Sequence, residues 1–105
     1  MTLAAELLHR YESHGIRRGG RVLYDHTTAL KILEECALLS IRVVGIDIFL
    51  LNERDNSLVQ LNSTDYSSVS KTLDGDRLTV LASRRLLESG IPDGGNYVSF
   101  VLRSR

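Results

Sequence analysis

The sequence predicts an α+β domain in which about three helices pack on a small antiparallel three-stranded sheet, in the order α-α-β-β-α-β. Three observations predict it. Apolar residues recur at helical spacing near the start, before Ser40 and after Asp76. Residues 41–51 are dense in Val, Ile, Phe and Leu at odd and even positions alike, as in a strand covered on both faces. Two shorter apolar runs, 58–61 and 97–102, are set off by turn residues.

Taken in order, Leu3, Leu7, Leu8 and Tyr11 form one face of a first helix, with Glu6, Arg10 and Glu12 opposite. Thr2 is its expected N-cap, and Gly15 is expected to end it in a left-handed turn. Residues 16–24 read as a loop, Arg17-Arg18-Gly19-Gly20-Arg21, followed by the short apolar Val22-Leu23-Tyr24. Asp25 or Thr27 caps a second helix whose apolar face is Ala29, Leu30, Leu33, Cys36 and Ala37, ending near Ser40. The strand at 41–51 and a half-exposed partner at 58–61 make a hairpin around Asn52-Glu53-Arg54-Asp55-Asn56. Residues 62–76, rich in Ser and Thr and ending near Asp74-Gly75, read as a long surface loop. Asp76 is then the expected cap of a third helix with Leu78, Leu81, Ala82 and Leu86 on its buried face and Arg85 snorkelling beside them. Gly90 and Pro92 stop it, and the Asp93-Gly94-Gly95-Asn96 turn leads to a last strand at 97–102. A right-handed crossover from the second strand places the third beyond the first, which predicts the strand order 2-1-3.

With 105 residues, 43% apolar and 25% charged, the chain is expected to form one domain over 1–105. A chain of this size buries roughly 60 to 70% of its unfolded surface, enough for one core. Thirteen basic and 13 acidic side chains cancel, which disfavours a general nucleic-acid binder and an acidic nucleic-acid mimic alike. The lone Cys36 cannot make an internal disulfide, and Glu6 interrupts any signal-peptide core, so the expected compartment is the cytoplasm. Residues 43–51 are interrupted by Asp47 and fall well short of the ~20 apolar residues of a membrane helix.

The catalytic inventory is thin. His9 and His14 are five apart and point about 140° from one another on a helix, the wrong spacing for one metal. Cys36 falls on an apolar stripe and reads as core. Asp25 and His26 are accounted for by capping, and no Walker loop, dinucleotide fingerprint or zinc motif is present in the sequence. No cofactor is expected. The Arg17-Arg18-Gly19-Gly20-Arg21 run could meet phosphate, but a solvated loop is the plainer reading. Asp47, an acid inside an apolar strand, needs a partner such as an arginine, or else a direct role.

Charge is segregated along the chain. Residues 34–76 hold eight acids against three bases, while the flanks are basic. Within the acidic middle, Tyr66 follows Asp65 as an amphipathic aromatic of the kind that anchors interfaces.

The run Ala29-Leu30-Lys31-Ile32-Leu33-Glu34, the strand Ile41-Arg42-Val43-Val44-Gly45-Ile46-Asp47-Ile48-Phe49, the polar loop with Asp65-Tyr66 and the final helix and strand resemble the immunity protein 40 family of bacterial polymorphic-toxin systems. The resemblance spans roughly 26–102, and the Gly45-x-Asp47-x-Phe49 strand after a leucine-rich helix is its most specific part. Where the family usually carries a tryptophan, this chain has Asp65-Tyr66-Ser67. The resemblance implies a non-enzymatic cytoplasmic inhibitor that binds the C-terminal domain of a cognate toxin. On that expectation Glu53, Asp55, Asp65, Tyr66, Asp74 and Asp76 are candidate partner contacts, with Asp47 behind them. Two other readings stay open: a small regulatory or adaptor domain that dimerises through a sheet face, and a weak nucleic-acid-binding module using Arg17, Arg18, Arg21, Arg103 and Arg105.

Overall fold

In a computed structural model of the chain, residues 2–67 and 73–104 are described, with side chains for 2–67 and 75–104. Helix α1 (Leu3–Tyr11) begins at Thr2, whose hydroxyl accepts the Ala5 N–H at 3.1 Å. Its next free donor, the Ala4 N–H, reaches Ser104 Oγ at 2.8 Å, so the two chain ends are tied together. A 3-10 turn (Glu12–His14) follows, and Gly15 is extended, not left-handed. The glycine is there for space: a β-carbon would lie 2.4 Å from Val22 Cγ1 and 2.8 Å from the Leu23 carbonyl.

The expected loop at 16–24 is instead a hairpin, β1 (Ile16–Arg18) and β2 (Arg21–Leu23), closed by two residues. Gly19 and Gly20 both take positive φ, 54° and 79°, as a type I′ turn requires. The described residues therefore form two antiparallel sheets, of two and three strands, where one was expected. Helix α2 (His26–Leu39) starts at Asp25, which accepts the Thr28 N–H at 2.8 Å, and stops at Ser40, in the left-handed region at φ 54°. It buries Ala29, Ile32, Leu33 and Cys36. Ala37, placed on the buried face by the sequence reading, is exposed.

Strand β3 (Arg42–Asn52) is central, between β4 (Ser57–Asp65) and β5 (Tyr97–Arg103). Val44 is an extra residue against β5, so Val43 and Ile46, three apart, share the face turned to the helices with Ile48, Val98 and Phe100. The other face carries the row Ser63, Asp47, Ser99 across the three strands. Tyr24 forms a single bridge to Val98, its N–H and C=O bonding at 2.8 and 2.9 Å, which covers part of the outer edge of β5.

Helix α3 (Leu73–Glu88) begins before Asp76, and β4 continues through Asp65, so both ends of the expected 62–76 loop are regular structure, while 68–72 lie outside the described residues. The buried face of α3 is Asp76, Thr79, Val80, Ser83 and Leu87. Leu78 and Leu81, expected inside, are 55% and 58% exposed. Polar residues on the inner face disguised its phase. Gly90, at φ 109°, follows the helix as expected.

Candidate protein-binding surface

Strand β4 lies at the end of its sheet, and no strand among the described residues pairs with its outer edge. It is nine residues long, and every residue except Thr64 is exposed. Leu58, Val59 and Leu61 are 37%, 52% and 36% exposed, with Leu50 of β3 at 40% opposite Val59. Between Ser57 and Thr64 the strand carries neither charge nor proline, two of the means by which an edge is blunted; a third means, a bulge, is present. Leu61 is an extra residue against β3 and kinks the strand at its middle.

Acids bracket this edge. Asp55 accepts the Ser57 N–H at 2.9 Å, and Asp65 accepts the Ser67 N–H at 2.8 Å. The Ser57 hydroxyl and N–H hold the Asp55 carboxyl below its ordinary range, and the Ser67 N–H and hydroxyl do the same for Asp65. Both carboxylates are therefore ionised at neutral pH. Glu53 is exposed in the same turn as Asp55. Strand geometry, about 3.3 Å per residue, puts ~30 Å between the two acidic ends, so the acidic middle of the sequence is not one patch.

The remaining sequence candidates lie elsewhere. Asp76 is 6% exposed and sits 3.2 Å from Arg42 Nε, so it is an inward-facing acid and not the exposed loop or cap residue expected. Asp74 stands in the first turn of α3, with its side chain outside the described residues. Tyr66 is half-buried against the core, its N–H donates to the Val44 carbonyl at 2.7 Å, and burial pushes its hydroxyl pKa up. That is a docking contact within the chain where an exposed anchor was expected.

Asp47 does find an arginine. Arg21 Nη1 lies 2.9 Å from Asp47 Oδ2, and the Ser63 hydroxyl donates to Oδ1 at 2.7 Å. The same guanidinium sits 5.7 Å from the centroid of the Phe49 ring. Arg17 pairs with Glu12, and Arg18 donates to Asn56. The three arginines of the Arg-Arg-Gly-Gly-Arg run thus clamp the β1–β2 hairpin to its surroundings, which accounts for their presence without phosphate. Beside the clamp, a cleft of about 500 Å³ opens between α1, the hairpin and the sheet, with Asp47 and Ser99 in its wall.

Cys36 is buried, and burial followed by the charge of Glu35 pushes its thiol up to about 12. His9 lies 3.3 Å from Glu12, His14 tilts against Tyr11, and the His26 ring contacts the Leu87 carbonyl near the end of α3. For that contact to be a hydrogen bond, Nε2 must carry the proton and donate. Among the described residues no group of three His, Cys, Asp or Glu side chains could hold a metal, and no helix is long and apolar enough to cross a membrane.

These features define a small α+β domain in which, among the described residues, the outer edge of β4 is unpaired, uncharged from Ser57 to Thr64 and flanked by carboxylates. No protein-family model, curated protein or solved structure matches the chain.

Proposed function

We propose that the protein is a non-enzymatic, cytoplasmic inhibitor that binds the C-terminal domain of a cognate bacterial toxin, and that β4 receives a strand of that partner. The observation carrying this reading is the edge of β4, uncharged from Ser57 to Thr64, with Asp55 and Asp65 flanking that run. Main-chain hydrogen bonds to such an edge supply affinity, and flanking charge steers the approach of a basic segment and sets its register. The resemblance to immunity proteins supports the same conclusion, because a chain that acts by surface complementarity needs no reactive group. Glu53, Asp55 and Asp65 are the contacts proposed. Asp76, Tyr66 and Asp47 support the fold beneath them.

The test is to sequence the neighbouring reading frames and, where one encodes a secreted protein with a toxin-like C-terminal domain, to co-express that domain with this chain. The wild-type chain is expected to rescue growth, and Val59→Lys with Leu61→Lys is expected to abolish rescue while stability stays within about 0.5 kcal/mol per site. Asp55→Lys with Asp65→Lys is expected to slow association and flatten its salt dependence. Full rescue by the Val59/Leu61 variant removes β4 as the contact. Failure of the wild-type chain to neutralise any such domain removes the inhibitor reading. The free edge also permits self-pairing as a two-fold dimer, which light scattering on the isolated protein distinguishes by mass.

A further inference from the structure

The main chain of β4 does not offer its outer edge evenly. In an antiparallel ladder the N–H and C=O groups of successive residues point to alternate sides of the strand. The Tyr66 N–H donates to the Val44 carbonyl of β3 at 2.7 Å, so Thr64 and Asn62, at steps of two, also face β3, while Asp65 and Ser63 face away. Beyond the bulge at Leu61, Gln60 and Leu58 stand opposite Phe49 and Leu51. Both of those turn to the other side of β3: the Phe49 carbonyl accepts the Asn96 N–H at 3.0 Å, and Leu51 exchanges two bonds with the Asn96 side chain. The outward row is therefore Leu58, Gln60, Ser63 and Asp65.

One donor in this row is already occupied. The Ser63 N–H donates to Oδ1 of its neighbour Asn62 at 2.8 Å, and Asn62 Nδ2 donates to Asp93 Oδ2 at 3.0 Å. An N–H can meet only the amide oxygen and a carboxylate only the amide nitrogen, so the two contacts fix one orientation of the Asn62 side chain. Asp93 is itself set in the 3-10 turn after α3 (Pro92–Gly94), in the left-handed region at φ 60°. Side chains such as Asn divert neighbouring main-chain donors from a sheet ladder. With the Ser63 donor taken and the bulge beside it, the edge is divided into Leu58 and Gln60 at one end and Asp65 at the other.

We infer that Asn62, tethered by Asp93, guards the β4 edge: it withholds the Ser63 N–H, so a second copy of the chain finds no continuous ladder, and a partner strand pairs along the whole edge only by displacing it. An uncharged open edge is a template for self-association, which a protein that works through that edge has to prevent. A basic partner strand gains contacts at Asp55 and Asp65 that offset the loss of one neutral hydrogen bond. A second copy gains none, because two-fold antiparallel pairing sets its 53–55 turn, two acids and one base, against Asp65. The inference deepens the β4 reading and rests on it only in taking that edge as the open one; the inhibitor role is not needed.

The test uses the isolated chain. Amide exchange followed by NMR, at concentrations where each variant is monomeric, is expected to be slower at Ser63 than at Gln60 and Asp65. In Asn62→Ala the Ser63 amide is expected to exchange about five- to tenfold faster. Asp93→Gly, which suits a positive φ and removes the carboxylate, is expected to speed it in the same direction. In sedimentation velocity over a series of concentrations the wild-type chain is expected to stay monomeric and Asn62→Ala to dimerise as concentration rises. Adding Val59→Lys to Asn62→Ala is expected to restore the monomer. Equal Ser63 exchange in wild type and either variant, a wild-type dimer, a monomeric Asn62→Ala, or a dimer that persists with Val59→Lys overturns the inference. None of these measurements involves a toxin, so failure of growth rescue removes the inhibitor reading and leaves this one standing.

Discussion

At residue 15 a methyl group has nowhere to go, because Val22 Cγ1 and the Leu23 carbonyl occupy the space a β-carbon would take. The sequence marks Gly15 as a helix stop, and a stop does occur nearby, yet the reason for glycine is close approach between the end of the first helical segment and β2. Gly15→Ala is therefore expected to lower stability by about 1–3 kcal/mol through overpacking, measured by urea unfolding. A loss below about 0.5 kcal/mol would return Gly15 to a role in chain direction alone. The same contrast holds at the acids. Asp47 announces its need for a partner by standing in an apolar strand, and Arg21 meets it. Asp76 gives no such signal, because an acid beside a Gly looks like a helix cap until the helix is seen to begin at Leu73.

Among the elements, α3 shows how a correct periodicity can carry the wrong phase. Leu78, Leu81 and Leu86 repeat at helical spacing and would serve as a core face, but the core is met by Val80 and Leu87 with Thr79 and Ser83 between them. Hydropathy ranks the leucines higher, while packing against α2 and β3 selects the smaller side chains that let the helix sit close. Leu87→Ala is expected to cost about 2–5 kcal/mol, and Leu78→Ala or Leu81→Ala no more than about 0.5 kcal/mol, by denaturant unfolding. The reverse ranking would restore the leucine face as the core. The β1–β2 hairpin was illegible for a related reason: its strands are three residues each and contain Arg17, Arg18 and Arg21, so only the Gly19-Gly20 pair carried the signal.

For the whole molecule, a Cα radius of gyration of 13.1 Å matches the ~13 Å of a compact 100-residue domain, so the core groups are out of water together. Burial pushes Cys36 up to about 12 from a usual thiol value near 9, and pushes Tyr24 upward from about 10. The folded state thus keeps protons that the unfolded chain releases. Stability from these groups is complete below about pH 9 and is lost as pH rises toward 12. The melting temperature is expected to fall across that window, with a shallower fall in Cys36→Val; an unchanged slope in that variant would show that Cys36 ionises as readily folded as unfolded.

Local periodicity and capping chemistry by themselves determined that the chain is α+β, that Thr2 and either Asp25 or Thr27 begin helices, that residues 41–51 are central, and that acids cluster in the middle of the chain. These are properties of a few adjacent residues, and they survive any arrangement of the elements. Tertiary structure alone decided which acids face water, which side of α3 is inside, and that three arginines fold back as clamps while Arg77 and Arg84 make no ion pair among the described residues. Each of those depends on groups distant in sequence meeting in space: Arg42 with Asp76, Arg21 with Asp47, Tyr24 with Val98. The open edge of β4 belongs to both levels, since its uncharged sequence is local, but its exposure exists only because nothing else among the described residues packs beside it.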